Sequence, residues 1–345
     1  MFACLTGALL PKKDAAEKVS KKHYHDKKPG LGTTEKRNET MLSIQSLGHT
    51  YPNGVQALNN INLEIPKGMF GLLGPNGAGK SSLMRTIATL QQPTSGVVSF
   101  EGVNVLGQPD EIRRRLGYLP QDFGVYPRGS AYDLLDHLAI LKGIINRKER
   151  RAVVEGLLVQ TNLFEVRKRK LATFSGGMRQ RFGIAQALIG QPQLIIVDEP
   201  TAGLDPEERN RFHNLLSEIG EDVVVILSTH IVDDIANLCT NMAVLAGGEI
   251  VAKGTPVALI AALEGRIWKK AINKTEIDAY KAKYNVISNH LSAGNLMIRV
   301  ESKVCPEGGF EPTIANLEDV YFLAISKGHE GATSDLASTA TSVAA

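Results

Sequence analysis

The sequence contains little cysteine. Its 345 residues include three, Cys4, Cys239 and Cys305, an odd number of widely separated positions. No C-x-x-C or similar spacing of metal ligands occurs among them. This usage argues against a disulfide framework and a cysteine-based zinc site. It suits a reducing compartment, in which Cys239 is expected to be a core residue.

Long apolar runs and a strong net charge are also lacking. No apolar stretch approaches the roughly 20 residues that cross a bilayer as a helix. The weakly apolar residues 2–10 are followed by lysines, whereas a secretory signal has its lysines first. The formal net charge is +3, and residues 1–40 hold nine Lys/Arg against five Asp/Glu. The body of the chain is therefore slightly acidic, and we expect no nucleic-acid partner.

One glycine-rich segment carries a strong signal for phosphate binding. It matches G-x-x-x-x-G-K-[ST], with an apolar strand predicted before it at Met69–Leu73 and a helix predicted from Ser82. The glycines let backbone N–H groups converge on an anion, and the helix directs its positive end there. The lysine adds a charge for the β- and γ-phosphates, and the serine offers a hydroxyl to Mg²⁺. The segment consists of Gly74, Pro75, Asn76, Gly77, Ala78, Gly79, Lys80 and Ser81.

Two carboxylates end a second apolar strand, which is predicted at residues 193–197. Such acids are costly to bury unless something uses them. Beside a phosphate loop, Asp198 is expected to hold Mg²⁺, and Glu199 to accept a proton from an attacking water. A further buried strand at residues 222–228 leads to His230. Because ligands bind at the carboxyl ends of parallel strands, we expect Lys80, Glu199 and His230 along one sheet edge.

Two other features leave alternatives open. Ser175-Gly176-Gly177 begins a predicted helix, where it forms either a second anion site or a helix cap with a tight turn. Tyr51 precedes a Pro-Asn-Gly turn, where its ring either stacks on a nucleotide base or packs against the fold.

Taken in order, these motifs resemble the ATPase subunit of an ABC transporter over residues 41–256. The resemblance makes Tyr51 the A-loop aromatic and the glycine-rich segment Walker A, and it makes Gln121 the Q-loop residue. Residues 174–178 are similar to the signature, with Phe174 in place of Leu and Met178 in place of Gln. Asp198 and Glu199 close Walker B, Asp205 belongs to the D-loop, and His230 is the switch histidine.

The resemblance implies an α/β fold: a P-loop NTPase core of the ABC ATPase type with an antiparallel β edge and a helical subdomain. We place the ATPase domain at residues 41–256, with the helical subdomain at about 125–190. A small α+β appendage is expected at residues 257–327, and its role in packing, dimer support or regulation is open. Residues 1–40 and 328–345 are predicted to be disordered. The basic first segment is a membrane-surface arm, a solvated tail, or a product of an early start codon.

The resemblance also implies a mechanism that uses ATP and Mg²⁺. Two copies pack head to tail, so that Walker A of one copy, with Tyr51 and Ser82, faces the signature of the other. Glu199 then acts as the base, while His230 and Gln121 position the water, the γ-phosphate and the metal. The implied metal ligands are Ser81, Gln121 and Asp198. The implied trans residues are Ser175, Gly176, Gly177, Met178 and Asp205.

The implied partners are a second ATPase subunit, as a homodimer, and a separate integral membrane permease that docks near residues 122–126. The location is then cytoplasmic, at the inner face of the cell membrane. Residues 168–173 lack the Gly-Glu-Arg-Gly pattern of fused exporters. Residues 316–321, Asn-Leu-Glu-Asp-Val-Tyr, are similar to the end of the stand-alone drug/polysaccharide exporter branch. The sequence therefore favours export.

An exporter ATPase has three alternatives: a soluble ABC ATPase of DNA repair or translation, a regulatory module without turnover, and an importer ATPase. A DNA-repair ATPase inserts a long coiled coil before the signature, whereas about 95 residues intervene here. A translation ATPase fuses two modules, and a regulatory module without turnover tends to lack the base at Glu199. An importer ATPase remains the third alternative, because the cargo path would belong to the partner.

Overall fold

The structure is a computed structural model. It describes residues 40–121, 129–201, 203–220, 223–292 and 294–326. The predicted disordered segments, apart from Thr40, and the predicted docking segment at 122–126 lie outside these residues. Two compact units are present, one formed by the described residues of 40–109 and 220–326, and the other by those of 110–219. No helix of the described part is long and apolar enough to span a membrane.

The described chain contains fourteen strands and ten α-helices. The strands are β1 (Thr40–Thr50), β2 (Gln56–Pro66), β3 (Gly68–Leu73), β4 (Ser95–Phe100), β5 (Val103–Asn104), β6 (Leu116–Leu119), β7 (Leu194–Asp198), β8 (Val224–Thr229), β9 (Asn241–Ala246), β10 (Glu249–Gly254), β11 (Ile267–Ile272), β12 (Asn285–Ser292), β13 (Asn295–Glu301) and β14 (Glu311–Pro312). The helices are α1 (Lys80–Ile87), α2 (Pro109–Arg115), α3 (Ala131–Leu141), α4 (Arg147–Gln160), α5 (Gly176–Ala187), α6 (Pro206–Ile219), α7 (Val232–Leu238), α8 (Pro256–Ala261), α9 (Ile277–Lys283) and α10 (residues 317–326).

An antiparallel sheet in the first unit has the strand order β2-β1-β4-β5. Alternate residues of β2 are buried, as expected of a sheet with one covered face. Glu101 and Gly102 join β4 to β5 with φ values of 47° and 79°. A two-residue hairpin with a type I′ turn has positive φ at both positions. This sheet is the antiparallel edge that the resemblance implies.

The first unit also holds three parallel strands in the order β9-β3-β8, with β10 antiparallel to β9. All six residues of β8 are buried. Burial of every residue, with an apolar run at 224–227, is typical of a strand covered on both faces. Gly247 and Gly248, with φ values of 55° and 83°, form the turn between β9 and β10. This hairpin was not predicted from the sequence.

Helices dominate the second unit, as predicted for this stretch. Its two described strands, β6 and β7, are parallel neighbours. Helices α3, α4 and α5 bury a shared apolar cluster that includes Leu135, Val154 and Phe182. Ser130 and Asn146 cap α3 and α4 by accepting from backbone N–H groups of the first turn.

The last sheet, in the first unit, has the order β12-β13-β11-β14. In this split βαβ arrangement β13 lies between the two strands that α9 connects. The strands predicted near 266–272, 286–291 and 296–301 are confirmed. The helix predicted at 274–284 begins instead with a 3-10 turn, Lys274–Glu276, and β14 was not predicted. Arg299 of β13 forms an ion pair with Asp319 of α10.

Candidate functional site

The phosphate loop connects β3 to α1 in the first unit. Gly79 ends the loop with φ 105°, a left-handed conformation that residues other than glycine rarely adopt. A Cβ atom at Gly79 would also clash with the carbonyl oxygen of Ala57. No side chain caps α1 at Gly79. The first N–H groups of α1 are therefore in the arrangement that suits an anion.

Lys80 is the first residue of α1, and its side chain is 5% exposed. Its ammonium Nζ donates to the carbonyl oxygens of Gly74, at 2.8 Å, and of Pro75, at 3.2 Å. The positive charge of Lys80 therefore lies over the phosphate loop. Ser81 is exposed on the first turn of α1, and Ser82 is buried. The loop therefore presents a cation and a hydroxyl beside converging backbone donors.

Tyr51 lies beside this loop, directly after β1. Its hydroxyl is 2.9 Å from Ser82 Oγ and donates to Gln91 Oε1 at 3.3 Å. Its ring meets the His49 ring at an angle of 86°, with 4.6 Å between the centroids. The structure thus places the predicted base-stacking residue next to the phosphate loop. His49 and Gln91 were missed from the sequence, since neither belongs to a motif.

His230 follows the strand that pairs with β3. In the parallel register, Leu73 of β3 lies opposite Thr229 of β8. The phosphate loop and His230 therefore begin at the same edge, as the sequence predicts for these two. The His230 side chain is exposed.

In the second unit, Gln121 and the two carboxylates also share an edge. Leu119 of β6 lies opposite Val197 of β7, so Gln121 and Asp198 both come at the carboxyl ends of their strands. Asp198 and Glu199 are 4% and 8% exposed. Glu199 has φ 48°, in the left-handed region. Such strain in a non-glycine residue is common at functional sites.

The predicted signature begins α5. Ser175 is its N-cap, and Ser175 Oγ accepts from the Met178 N–H at 3.2 Å. The structure therefore shows Ser175 as a helix cap. Anion binding at the same helix start stays a prediction. A Cβ atom at Gly177 would lie 2.5 Å from Glu208 Oε2. Glu208 in turn forms a 3.4 Å ion pair with Arg181 of α5.

The two residues that depart from the family signature both contact the apolar core of the helical unit. Phe174 is 3% exposed within the apolar cluster of α3, α4 and α5, and Met178 packs against the same cluster. Both positions therefore belong to the core of the helical unit. The Ser-Gly-Gly backbone remains accessible at Ser175 and Gly176.

Asp205 precedes α6 and is exposed. Its Oδ1 accepts from the Glu208 N–H at 2.8 Å, which makes it the N-cap of α6. Among the residues that the structure describes, no group of three or more His, Cys, Asp or Glu could hold a metal ion. The predicted residues thus form two groups. Tyr51, the phosphate loop and His230 lie in the first unit, and Gln121, Ser175, Asp198, Glu199 and Asp205 lie in the second.

Comparison with known proteins gives consistent relatives. A family model described as ABC transporter matches residues 58–202. The ABC transporter ATP-binding protein NatA of Bacillus subtilis (strain 168) is 36% identical over 203 residues, which are 58% of this chain and 82% of NatA. The daunorubicin/doxorubicin resistance ATP-binding protein DrrA of Streptomyces peucetius is 33% identical over 226 residues, 65% of this chain and 68% of DrrA.

An import protein and a solved structure are also similar. The methionine import ATP-binding protein MetN of Latilactobacillus sakei subsp. sakei (strain 23K) is 31% identical over 248 residues, 68% of this chain and 71% of MetN. The dimeric post-hydrolysis structure of the ATP-binding cassette MJ0796, bound to ADP and Pi, has a TM-score of 0.58 and 28% identity. The match covers 62% of this chain and 98% of the MJ0796 chain.

The order of motifs, the P-loop fold and these relatives agree. The chain therefore belongs to the ABC transporter family, in which it is an ATP-binding and ATP-hydrolysing subunit of a transporter.

Proposed function

We propose that two copies of this chain bind two ATP molecules head to tail, and that hydrolysis drives export through a separate membrane permease. One observation supports the proposed dimer. The chain begins two helices with predicted phosphate-binding segments, α1 after Gly79 and α5 after Ser175, and these belong to different units. Two helix starts on two copies can bind one triphosphate from both sides. The dimeric, ADP-bound cassette MJ0796 supports this arrangement.

One half of each pocket would come from the phosphate loop, with Tyr51 stacking on the base. Lys80 now donates to the carbonyl oxygens of Gly74 and Pro75. Phosphate oxygens are better acceptors for an ammonium group, because charge-assisted hydrogen bonds are stronger than those to neutral carbonyls. Lys80 would therefore turn from the loop to the β- and γ-phosphates. The backbone N–H groups from Gly77 to Ser82 would bind the remaining oxygens.

The other half would come from the second copy. Ser175 Oγ already accepts from Met178, so its hydroxyl proton remains available to a phosphate oxygen. The backbone of Gly176 and Gly177 would add N–H donors at the start of α5. Asp205 is held at the start of α6 by its cap. We assign it to the dimer contact.

For hydrolysis, Glu199 would take a proton from a water as the water oxygen attacks the γ-phosphorus and ADP leaves. The strained backbone of Glu199 follows a buried strand, which fixes the carboxylate. His230 and Gln121 would position the water and the γ-phosphate. Positioning and electrostatic stabilisation supply most of the rate in phosphoryl transfer.

The donor set fits a magnesium ion. Ser81 offers a hydroxyl, Asp198 a carboxylate and Gln121 an amide oxygen, and all three are hard oxygen ligands. Mg²⁺ typically uses one or two carboxylates together with substrate phosphates and waters. When bound, the ion would neutralise charge on the β- and γ-oxygens. Asp198, buried at the end of β7, is the residue that we assign as its main anchor.

We place the ATPase module at residues 41–256 and the appendage at 257–327, at the cytoplasmic face of the membrane. Export is favoured by relatives named for drug resistance, DrrA and the linearmycin resistance protein LnrL. Import is the second candidate, because MetN is also similar over 68% of this chain. Copurification of the tagged chain from membranes would identify the permease. Loss of the chain should then sensitise cells to a toxic cargo under export, or block uptake of a nutrient under import.

The dimer is tested with Glu199→Gln. This variant removes the base and keeps the shape, so we expect turnover to fall at least about 100-fold, in the range typical of general base catalysis. ATP with Mg²⁺ should then shift the variant from monomer to dimer in light scattering after gel filtration. Exposed Glu218→Gln is the matched control and should hydrolyse ATP normally. A Glu199→Gln chain that stays monomeric in ATP, or that hydrolyses at the wild-type rate, contradicts the proposal.

A further inference from the structure

The predicted base-stacking ring and three side chains around it form a cluster. They are His49 in β1, Tyr51 after β1, Ser82 in α1 and Gln91 after α1, and we call them the Tyr51 niche. Ser82 and Gln91 bind the Tyr51 hydroxyl, at 2.9 and 3.3 Å. His49 contacts the ring itself, edge to face, with 4.6 Å between the centroids. The ring is thus supported at both its polar end and its apolar body.

The niche contains polar atoms that the rest of the described chain does not satisfy. His49 is 9% exposed, and neither of its ring nitrogens has a hydrogen-bond partner among the described residues. The Gln91 amide nitrogen is likewise buried and unpaired there. Buried polar groups are normally paired, because an unmade hydrogen bond costs stability. The His49 ring thus contacts Tyr51 without a hydrogen bond from either of its nitrogens to the described residues.

Neighbouring backbone bonds fix the niche from outside. The Thr50 N–H donates to Thr94 Oγ1 at 3.0 Å, and the Thr94 N–H donates to the Gly48 carbonyl at 2.8 Å. The segment that carries Gln91 is thereby joined to the end of β1. Movement of Tyr51 would have to break the two contacts of its hydroxyl and displace its ring from His49.

We propose that His49 and Gln91 are positioning residues that hold the Tyr51 ring ready to stack on the nucleotide base. This inference rests on the proposed role of Tyr51. His49 restricts rotation of the ring, and Gln91, with Ser82, holds the hydroxyl against the phosphate-loop helix. The ring is then ordered before the base arrives, which reduces the entropy lost on binding. This role requires no contact between either residue and the nucleotide.

The test compares two ligands on the full-length chain, ATP and inorganic tripolyphosphate, which lacks a base. Tyr51→Ala should raise the Kd for ATP about 5- to 150-fold, the range for one base–aromatic stack, and leave tripolyphosphate within about twofold. His49→Ala should raise the Kd for ATP about 2- to 12-fold, the range for an aromatic pair, again without affecting tripolyphosphate. His49→Phe, which keeps a ring against Tyr51, should bind ATP within about twofold of the wild type.

Gln91→Leu and Tyr51→Phe provide a second route that does not depend on the His49 variants folding. Each removes one side of the hydroxyl contact, so each should weaken ATP binding about 2- to 12-fold, and the double variant should be no weaker than the worse single one. Equal losses for ATP and tripolyphosphate would overturn the inference, since they would report general damage. The inference would also be overturned if the losses of ATP affinity in the two single variants added up in the double variant.

The failure of the inference is distinguishable from the failure of the proposed function. If Tyr51→Ala leaves the Kd for ATP unchanged, Tyr51 does not stack on the base and both ideas are wrong. If Tyr51→Ala weakens ATP binding while His49→Ala and Gln91→Leu leave it unchanged, only the positioning role is wrong.

Discussion

Replacement of Asp319 by alanine should destabilise the C-terminal sheet. Asp319 is 1% exposed, and its two carboxylate oxygens accept from Arg299 Nε and Nη2 at 2.7 and 2.6 Å. The same carboxylate accepts from the Asn316 N–H at 2.9 Å, and Asn316 Oδ1 accepts from the Asp319 N–H at 3.0 Å. The Asp319 side chain therefore forms an ion pair with the largely buried guanidinium of Arg299. It also completes the N-terminal cap of α10 together with Asn316.

The size of the effect follows from what remains after the substitution. Removing one partner of a buried ion pair leaves an uncompensated charge, which costs about 3–5 kcal/mol. The Lys283–Glu307 pair gives the comparison, since its atoms are 3.6 Å apart and its side chains are 63% and 91% exposed. Exposed pairs contribute about 0–1 kcal/mol. Glu307→Ala is therefore the matched control.

Trp268 makes the experiment specific to this sheet. It is the one tryptophan of the sequence and lies in β11, where its Nε1–H donates to the Ser302 carbonyl at 3.1 Å. Urea unfolding of the full chain is followed by its fluorescence. With a slope of about 2 kcal/mol per molar, Asp319→Ala should lower the midpoint by about 1.5–2.5 M. A shift within about 0.3 M of that of Glu307→Ala would refute the reasoning, because the buried pair would then behave like the exposed one.

Three further outcomes are expected. Lys80→Ala should raise the Kd for ATP about 10- to 100-fold in equilibrium dialysis, since a charged hydrogen bond is lost at the phosphates, and unchanged binding would contradict the assignment. Gly74→Ala should abolish ATP binding or folding, because the added Cβ atom would clash with the Leu245 carbonyl oxygen. A variant with a normal Kd for ATP and a normal circular dichroism spectrum would contradict this expectation. Burial, with a smaller effect of a nearby carboxylate, raises the pKa of the Cys239 thiol, whereas Cys305 is exposed. Iodoacetamide at pH 8 should therefore modify Cys305 before Cys239, as followed by mass spectrometry, and equal rates would contradict the burial of Cys239.

Local sequence patterns were sufficient for the phosphate loop and its flanks. Glycine spacing, the Lys-Ser pair and the apolar runs on either side are properties of neighbouring residues, and the structure has the strand, loop and helix in that order. The predicted Ser82–Leu90 helix ends earlier, at Ile87, where the Ala88 N–H completes the last turn. Helix ends depend on the cap more than on apolar spacing.

Other features depend on contacts between distant residues. Phe174 and Met178 lie in or against an apolar cluster that also contains residues of α3 and α4, and both helices lie outside the motif. The left-handed backbone of Glu199 has no signal in its own residue type. His49 is separated from the phosphate loop in sequence, so only the fold brings it to Tyr51. The β9–β10 hairpin, in contrast, had a local signal in Gly247-Gly248, which our sequence analysis did not use.

The neighbours of β3 have a consequence for synthesis on the ribosome. The strand that precedes the phosphate loop is flanked by β8 and β9, which are translated roughly 150 residues later. At about 5–20 residues per second, a nascent chain would hold this loop without its supporting strands for roughly 10–30 seconds. Polypeptides released after Ser81 and before Ala246 would therefore contain every residue of the lysine-bearing loop and lack at least part of the two strands that flank β3.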